Sequence, residues 1–372
     1  MALNRGQTRR VIKVGTSLLR GRSDRSTAAV IMDLAASLAR VQRAGERLAL
    51  VTSGAVGLGC TALGLTERPP DLASLQAAAA VGQGRLMALY QEAFAVRGLT
   101  VAQVLLTRAD LASRRNYRRA CLTLEQLLAW NVVPIVNEND TVATEELRFG
   151  DNDTLSALVA VAIGADELVL LTDVDRLYSA DPRTDAKAVP IAEVHDPTHL
   201  EQLQEGAGGG GQWGTGGMTT KLTAARIATT SGIRVRLADG RDPAVLEALL
   251  AGASVGTVFH PSATPLPDRK GWLAHALVPC GTLVLDAGAE HALRHQGASL
   301  LAVGVTAVEG AFERLAPVRL TASDGREIGR GLCRLSSEEV RAILGLGREA
   351  IRQRLGDDGG AIVHRDHLVL AT

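Results

Sequence analysis

The 372-residue chain contains four short clusters whose residue types could hold an anion or steady a phosphoryl group. In KVGTS, Lys13 to Ser17, the glycine after an apolar run lets backbone N–H groups approach an anion while the lysine projects toward it. Lysines in strands usually lie on solvated faces. Lys13, however, stands between apolar neighbours in a chain with only four lysines, Lys13, Lys187, Lys221 and Lys270, among 40 basic residues. In VTSGAVGLG, Ser53 and Gly54 could hold a phosphate or carboxylate through a hydroxyl and one or two backbone N–H groups, or Ser53 could cap a helix. NEND, 137–140, and GDNDTLSA, 150–157, bring acidic and amide groups close together, as a ligand's ammonium group or the positioning of lysines would require. Asp151 or Asp153 could also simply favour a helix start. GTGGMTTK, 214–221, combines glycines, hydroxyls and a lysine ahead of a helix, as a mobile phosphate-facing lid would.

Several chemistries are excluded. GDNDTLSA lacks the glycine and terminal glutamate of a calcium loop. Lys221 does not follow the last glycine of its run, so the segment is not a Walker A loop, and the glycines lack the spacing of a dinucleotide fingerprint. The cysteines, Cys60, Cys121, Cys280 and Cys333, have no C-x-x-C spacing, which argues against zinc or a disulfide framework and for reduced, buried thiols. No metal-ligand set is assigned. Basic and acidic residues balance at 40 each, so nothing gathers nucleic acid or anionic lipid, and a small-molecule partner is expected. No apolar core follows the basic opening residues, and the long apolar runs are broken by glycine or charge. A cytoplasmic protein with no membrane segment is expected.

The first two thirds of the chain alternate β-rich and helical runs, the pattern of an α/β domain with a mostly parallel sheet. Strands are predicted over 11–14, 48–52, 101–106, 168–171 and 235–238, and helices over 26–44, 72–96, 114–130, 153–163 and 221–230. VVPIV, 132–136, reads as a strand only if the missing N–H of Pro134 falls at an interruption of the ladder. PSATPLPDRKGW, 261–272, reads as a linker. Beyond it, TLVLD, LLAVGVTAVEG, PVRLTASDG and AIVHR read as strands, with a helix around 337–344. The expected organisation is a catalytic domain over 1–260, a linker over 261–275 and a small β-rich domain over 276–372.

Taken in order, KVGTS, VTSGA, NENDTVAT, GDNDTLSA, LLTDVDRLYSADPR and GTGGMTTK resemble the amino acid kinase family, and the segment from about Thr282 resembles a PUA domain. The resemblance implies an αβα sandwich followed by the PUA-like domain. It also implies ATP with Mg²⁺ as phosphoryl donor and the γ-carboxylate of glutamate as acceptor, at the entry to proline synthesis. It places Lys13 and Lys221 at the phosphoryl-stabilising lysines and Asp153 at the aspartate that orients them. Ser53, Asp140 and Asn152 fall on substrate positions. Lys13, Gly15, Thr172 and Asp173, with Thr215, Gly216, Gly217, Met218, Thr219, Thr220 and Lys221, fall on nucleotide positions. Two departures are Arg176, where the family has glycine, and the long glycine run before Lys221. The resemblance further suggests inhibition by proline, association with glutamyl-phosphate reductase and a homo-oligomer. Sibling kinases acting on N-acetylglutamate, aspartate or carbamate are the alternative. An RNA-associated PUA protein is disfavoured, because the C-terminal segment lacks a basic, aromatic footprint.

Overall fold

A computed structural model describes residues 7–19, 25–107, 110–111, 113–143, 152–183, 185–195, 217–265, 279–346, 348–355 and 361–371. The chain divides into two compact units between Leu266 and Pro267.

The first unit is built on an eight-stranded sheet in the order β3-β4-β2-β1-β5-β9-β10-β8. Its strands are β1 (Arg9–Val14), β2 (Arg47–Val51), β3 (Val101–Leu106), β4 (Val133–Glu138), β5 (Glu167–Thr172), β8 (Glu193–Val194), β9 (Arg234–Asp239) and β10 (Thr257–Phe259); β6 (Leu177–Tyr178) and β7 (Pro190–Ile191) form a separate ribbon. All neighbouring pairs are parallel except β9 with β10. The helices are α1 (Thr16–Leu19), α2 (Thr27–Arg43), α3 (Ala55–Ala62), α4 (Leu72–Ala95), α5 (Arg114–Ala129), α6 (Asn152–Ala162), α7 (Gly217–Thr230) and α8 (Pro243–Leu250).

Parallel strands covered by helices on both faces bury both sets of alternating side chains. Ile12, Val14, Leu48, Leu50, Val169 and Leu171 form one core with α2, α4 and α8. The intervening residues of β1 face the other layer, where α6 packs on β1 and β5 and against α7. The boundaries follow local chemistry. Ser26 Oγ accepts from the Ala29 N–H at the start of α2, and Gly45, at φ +98°, turns the chain after its end.

Pro134 lies in an interior strand, as the sequence reading required of VVPIV, and the ladder shows why it is tolerated. The Val133 N–H donates to Thr100 O on the β3 side. Successive N–H groups of a strand alternate sides, so the missing one points toward β2, where registered pairing begins only at Ile135. At the opposite rim from the carboxyl ends of the strands, Glu167 lies between Arg10 Nε at 2.9 Å and Arg236 Nε at 2.8 Å, tying β1, β5 and β9 together.

The second unit is a five-stranded sheet in the order β12-β11-β13-β14-β15, made of β11 (Gly281–Leu285), β12 (Val305–Gly310), β13 (Pro317–Thr321), β14 (Glu327–Cys333) and β15 (Val363–Leu370). Leu283, Leu285, Val318, Leu320 and Ile328 centre its core, to which α9 (Ala287–Gln296), α10 (Ser337–Ile343) and α11 (Arg348–Leu355) contribute Leu293, Val340 and Ile351. The run expected as one strand over 300–310 is instead a bridge at Leu300, a 3₁₀ turn at Ala302–Gly304 and then β12. All four cysteines are free, but only Cys333 is buried. Cys60 and Cys121 are half-buried and Cys280 is exposed, so the expectation of four buried thiols is corrected. No helix among the described residues is long and apolar enough to cross a membrane.

Helices α3 and α4 cross at two glycines, and this contact fixes the helix that follows Ser53 and Gly54. A Cβ on Gly82 would lie 1.8 Å from Ala55 O, and one on Gly59 would lie 1.7 Å from Ala78 O. Gly84, one turn-face away on α4, has nothing within 4 Å of its would-be Cβ. Gly82→Ala is therefore expected to lower stability in urea titrations by at least ~1–3 kcal/mol through overpacking. Gly84→Ala should raise it by ~0.4–1 kcal/mol through the unfolded chain. Equal effects of the two would contradict the close crossing.

Candidate functional site

Lys13 lies between Ile12 and Val14 on β1, so strand alternation aims it away from the core they enter and toward α6. Asp153 occupies the first turn of α6 and is 2% exposed. Lys13 Nζ forms an ion pair with Asp153 Oδ1. From α7, Lys221 Nζ reaches Asp153 Oδ2 at 3.2 Å, and the Thr220 hydroxyl donates to the same oxygen at 2.9 Å. Lys221 Nζ also donates to Gly217 O at 2.9 Å, one turn earlier on its own helix. Two ammonium groups thus share one carboxylate, leaving one positive charge in excess.

Burial by itself would raise the Asp153 pKa. The charges of Lys13 and Lys221, with hydrogen bonds from Lys13 and Thr220, outweigh it and hold the carboxyl below the ordinary aspartate value of 3.8. The position of Asp153 near the positive end of α6 favours the same charge state. Asp153 is therefore more than a helix-starting residue.

Gly15 follows β1, and its N–H donates to Leu171 O at 3.3 Å, so this amide continues the sheet rather than facing an anion. What the glycine contributes is a close approach: a Cβ there would lie 3.3 Å from Leu171 O, 3.7 Å from Ser17 Oγ and 3.9 Å from Lys13 Nζ. Thr172 ends the neighbouring β5, its hydroxyl 3.2 Å from the Asp173 carboxylate. Both lie at the carboxyl ends of strands, where open α/β sheets form their ligand crevices. Gly217, Met218, Thr219 and Thr220 form the first turn of α7, which starts four residues before the predicted helix. Thr215 and Gly216 lie outside the described residues. Arg176 pairs with the adjacent Asp175 at 2.9 Å.

Beside the lysine cluster is a cavity of about 590 Å³, lined by Ser53, Asp140 and Asn152 among others. It brings together all three residues expected on the acceptor side. Asn152 Nδ2 shares its two N–H groups among Thr52 O at 2.7 Å, Ser53 Oγ at 2.9 Å and Asn137 Oδ1 at 3.0 Å, locking the start of α6 to the ends of β2 and β4. Ser53 does not cap α3. The cap position is Gly54, at φ +96°, with no side-chain hydrogen bond, so the first amides of α3, from Ala55 to Gly57, are left along the cavity wall.

Asn137 was part of a polar run in the sequence but not a site residue. It is 2% exposed, donates to Gln83 Oε1 at 2.8 Å and lines the cavity. Its position at the carboxyl end of β4 was the available signal. Arg68, exposed and also on the cavity wall, carried no such signal because it lies in an irregular stretch between α3 and α4.

Comparison with known proteins bears on the family of the chain. The amino acid kinase family matches residues 8–239, and the PUA domain matches residues 281–355. A glutamate 5-kinase of Synechococcus sp. (strain CC9902) is 61% identical over 360 residues, covering 97% of this chain and 98% of that protein. A glutamate 5-kinase of Prochlorococcus marinus (strain MIT 9313) is 61% identical over 361 residues, with the same coverage. A third, from Synechococcus elongatus (strain ATCC 33912 / PCC 7942 / FACHB-805), is 52% identical over 363 residues, covering 97% and 99%.

The shared carboxylate makes a pH-dependent prediction. Because the folded pKa of Asp153 lies below its ordinary value, its contribution to stability is fully present above that value and is lost as pH falls through the folded pKa. Asp153→Asn leaves two ammonium groups facing each other without their counter-charge, at an expected cost of about 3–5 kcal/mol at neutral pH. The wild-type minus variant difference in denaturant unfolding should be constant down to about pH 4 and shrink below it. A difference that stays constant into stronger acid would show that the carboxylate charge is not what holds the cluster.

Proposed function

From its membership, for the chain belongs to the amino acid kinase family and carries a PUA domain, we propose that it transfers the γ-phosphoryl of ATP to the γ-carboxylate of glutamate, giving glutamyl 5-phosphate. The observation that carries this reading is the placement of the Lys13–Asp153–Lys221 cluster one residue away from a polar cavity that ends at Asn152.

A carboxylate is already a competent nucleophile, so the reaction needs no general base. The obstacle is repulsion between an anion and a triphosphate, and catalysis reduces to in-line positioning and fixed positive charge on the transferring group. Lys13 and Lys221 supply two compact charges, and Asp153 positions both while cancelling only one. Mg²⁺ enters with ATP as part of the substrate. Asp153 is committed to the lysines, and the bare backbone at Gly15 adds no side chain beside Lys13 where a phosphate would sit. The first turn of α7, with Thr215 and Gly216 before it, and the Thr172–Asp173 end of β5 are assigned to the nucleotide.

On the acceptor side, Asp140 is assigned to the α-ammonium of glutamate, and Ser53 and Asn152 to its orientation. The uncapped amides of α3 suit a carboxylate. A charged partner at Asp140 has a purpose for a free amino acid and none for an N-acylated one, which favours glutamate over N-acetylglutamate. Proline presents an ammonium and a carboxylate in the same relation as glutamate, which supports feedback inhibition at or near this cavity. The product is an acyl phosphate, labile in water, which supports hand-over to glutamyl-phosphate reductase. A homo-oligomer in the cytoplasm, where ATP and glutamate are abundant, completes the proposal.

Glutamate, ATP and Mg²⁺ should yield an acyl phosphate trapped by hydroxylamine, and proline should suppress it. Turnover with N-acetylglutamate or aspartate in place of glutamate would overturn the substrate assignment. Lys13→Ala and Lys221→Ala are each expected to lose on the order of 3 kcal/mol of transition-state stabilisation, read as a fall in kcat of about a hundredfold. Asp140→Asn should raise the KM for glutamate far more than that for ATP. Equal changes in both would reassign Asp140 to support of the fold.

A further inference from the structure

At the edge of the first sheet, far in topology from the lysine cluster, three metal-ligating side chains converge. The edge strand β8 pairs in parallel with β10, with Glu193 opposite Val258 and Val194 opposite Phe259, and the His260 N–H continues the ladder to Val194 O at 2.8 Å. The residues that follow the two strands, His195 and His260, are therefore side by side. Their rings stack with centroids 4.2 Å apart and planes 13° from parallel. Glu193, two residues before His195, points to the same face. Glu193 Oε2 lies 3.0 Å from His195 Nε2 and 3.2 Å from His260 Nε2. One ligand atom from each of the three residues lies within 4.8 Å of the others.

We propose that Glu193, His195 and His260 form a surface site for a divalent transition-metal ion of the zinc class, which clips edge strand β8 to β10. Two imidazole nitrogens and one carboxylate oxygen suit zinc and its neighbours, whereas magnesium and calcium require oxygen ligands. His195 is 70% exposed, which allows its ring to turn out of the stack so that both Nε2 lone pairs converge and water completes the coordination. The position also suits a clip. β8 is two residues long, its only sheet partner among the described residues is β10, and it ends the sheet.

This site is separate from phosphoryl transfer. β10 runs antiparallel to β9, with Phe259 opposite Val235, so His260 lies at the rim where β9 begins. Lys13 and Thr172 lie toward the other rim. The inference therefore does not rest on the kinase assignment.

The test is calorimetric titration of the full chain with zinc chloride, alongside His195→Ala, His260→Ala and the double variant, with Mg²⁺ as control. The wild type should bind one zinc ion in this site, each single variant should bind at least tenfold more weakly, and Mg²⁺ should not compete. Zinc should also raise the thermal unfolding midpoint of the wild type and not of the double variant. All these side chains are at least partly exposed, and kinase turnover of the variants with Mg²⁺ and ATP, without added zinc, should equal that of the wild type, which checks that they fold. If the double variant binds zinc with unchanged stoichiometry and affinity, or the wild type binds no more tightly than the variants, the site is refuted. Zinc held instead by the His291–His295 or His364–His367 pairs of the second unit would appear as that unchanged binding.

Discussion

The site depends on one carboxylate held between two ammonium groups. Asp153 is nearly inaccessible to water, and burying its charge has a sense only because Lys13 and Lys221 approach from two separate elements. The requirement propagates outward. Lys13 must occupy an inward-facing position of a strand buried on both sides. Helix α6 must start where its first turn overlooks the end of β1, and α7 must pack along α6 in a register that brings Lys221 and Thr220 to the same oxygen pair. A rotation of α6 by one residue would carry Asp153 about 100° around the helix and leave two lysines buried without their counter-charge.

The same helix start joins the cavity to the lysine cluster. Asn152 and Asp153 are consecutive, and in the first turn of a helix consecutive side chains diverge. Asn152 therefore faces the cavity and is bonded to Thr52, Ser53 and Asn137, while Asp153 faces the lysines. On the proposed assignment, donor and acceptor sides are set by one backbone segment rather than by two independent loops. For an in-line transfer between two anions this matters, because an error of about 1 Å in the approach costs heavily in rate. The Gly59 and Gly82 crossing acts from the other side, because it seats α3, whose first turn lines the cavity.

Much of this was legible in the sequence because several levels of information agreed. The parallel strands are short apolar runs ending in glycine, hydroxyl or acid groups, and the Lys13, Ser53, Asp140 and Thr172 ends all fall at the sheet's carboxyl rim. Lys13 was conspicuous through the scarcity of lysine. Other features were hidden by local signals that tertiary contact overrode. Helix α3 contains Gly57 and Gly59, poor helix formers, yet Gly59 is there because the backbone of α4 passes where a Cβ would be. The first turn of α7, GMTT, has weak helix propensity and reads as loop, but it is held by Lys221 donating back to Gly217 O. Helix α8 was missed although Asp242 and Pro243 are a good N-cap and first-turn pair, because its eight residues are too few for periodicity to stand out. The edge strands β8 and β10 are two and three residues long and are defined by pairing that no local pattern encodes.

The division of labour between the two cations follows from geometry. At the rim away from the site, Arg10 and Arg236 flank Glu167, and each guanidinium also donates to backbone carbonyls at the end of α8, Arg10 to Leu250 O and Arg236 to Leu249 O. A planar fork with five donors suits this work, since one side chain must satisfy a carboxylate and carbonyls in fixed directions. At the Asp153 rim the demand is the opposite. Two positive charges must fit on one carboxylate, and a broad guanidinium in place of the Lys13 ammonium would crowd Gly15, whose would-be Cβ already lies 3.9 Å from Lys13 Nζ and 3.3 Å from Leu171 O. Compact ammonium groups meet that demand, which explains why a chain that uses arginine almost everywhere keeps lysine at these two positions.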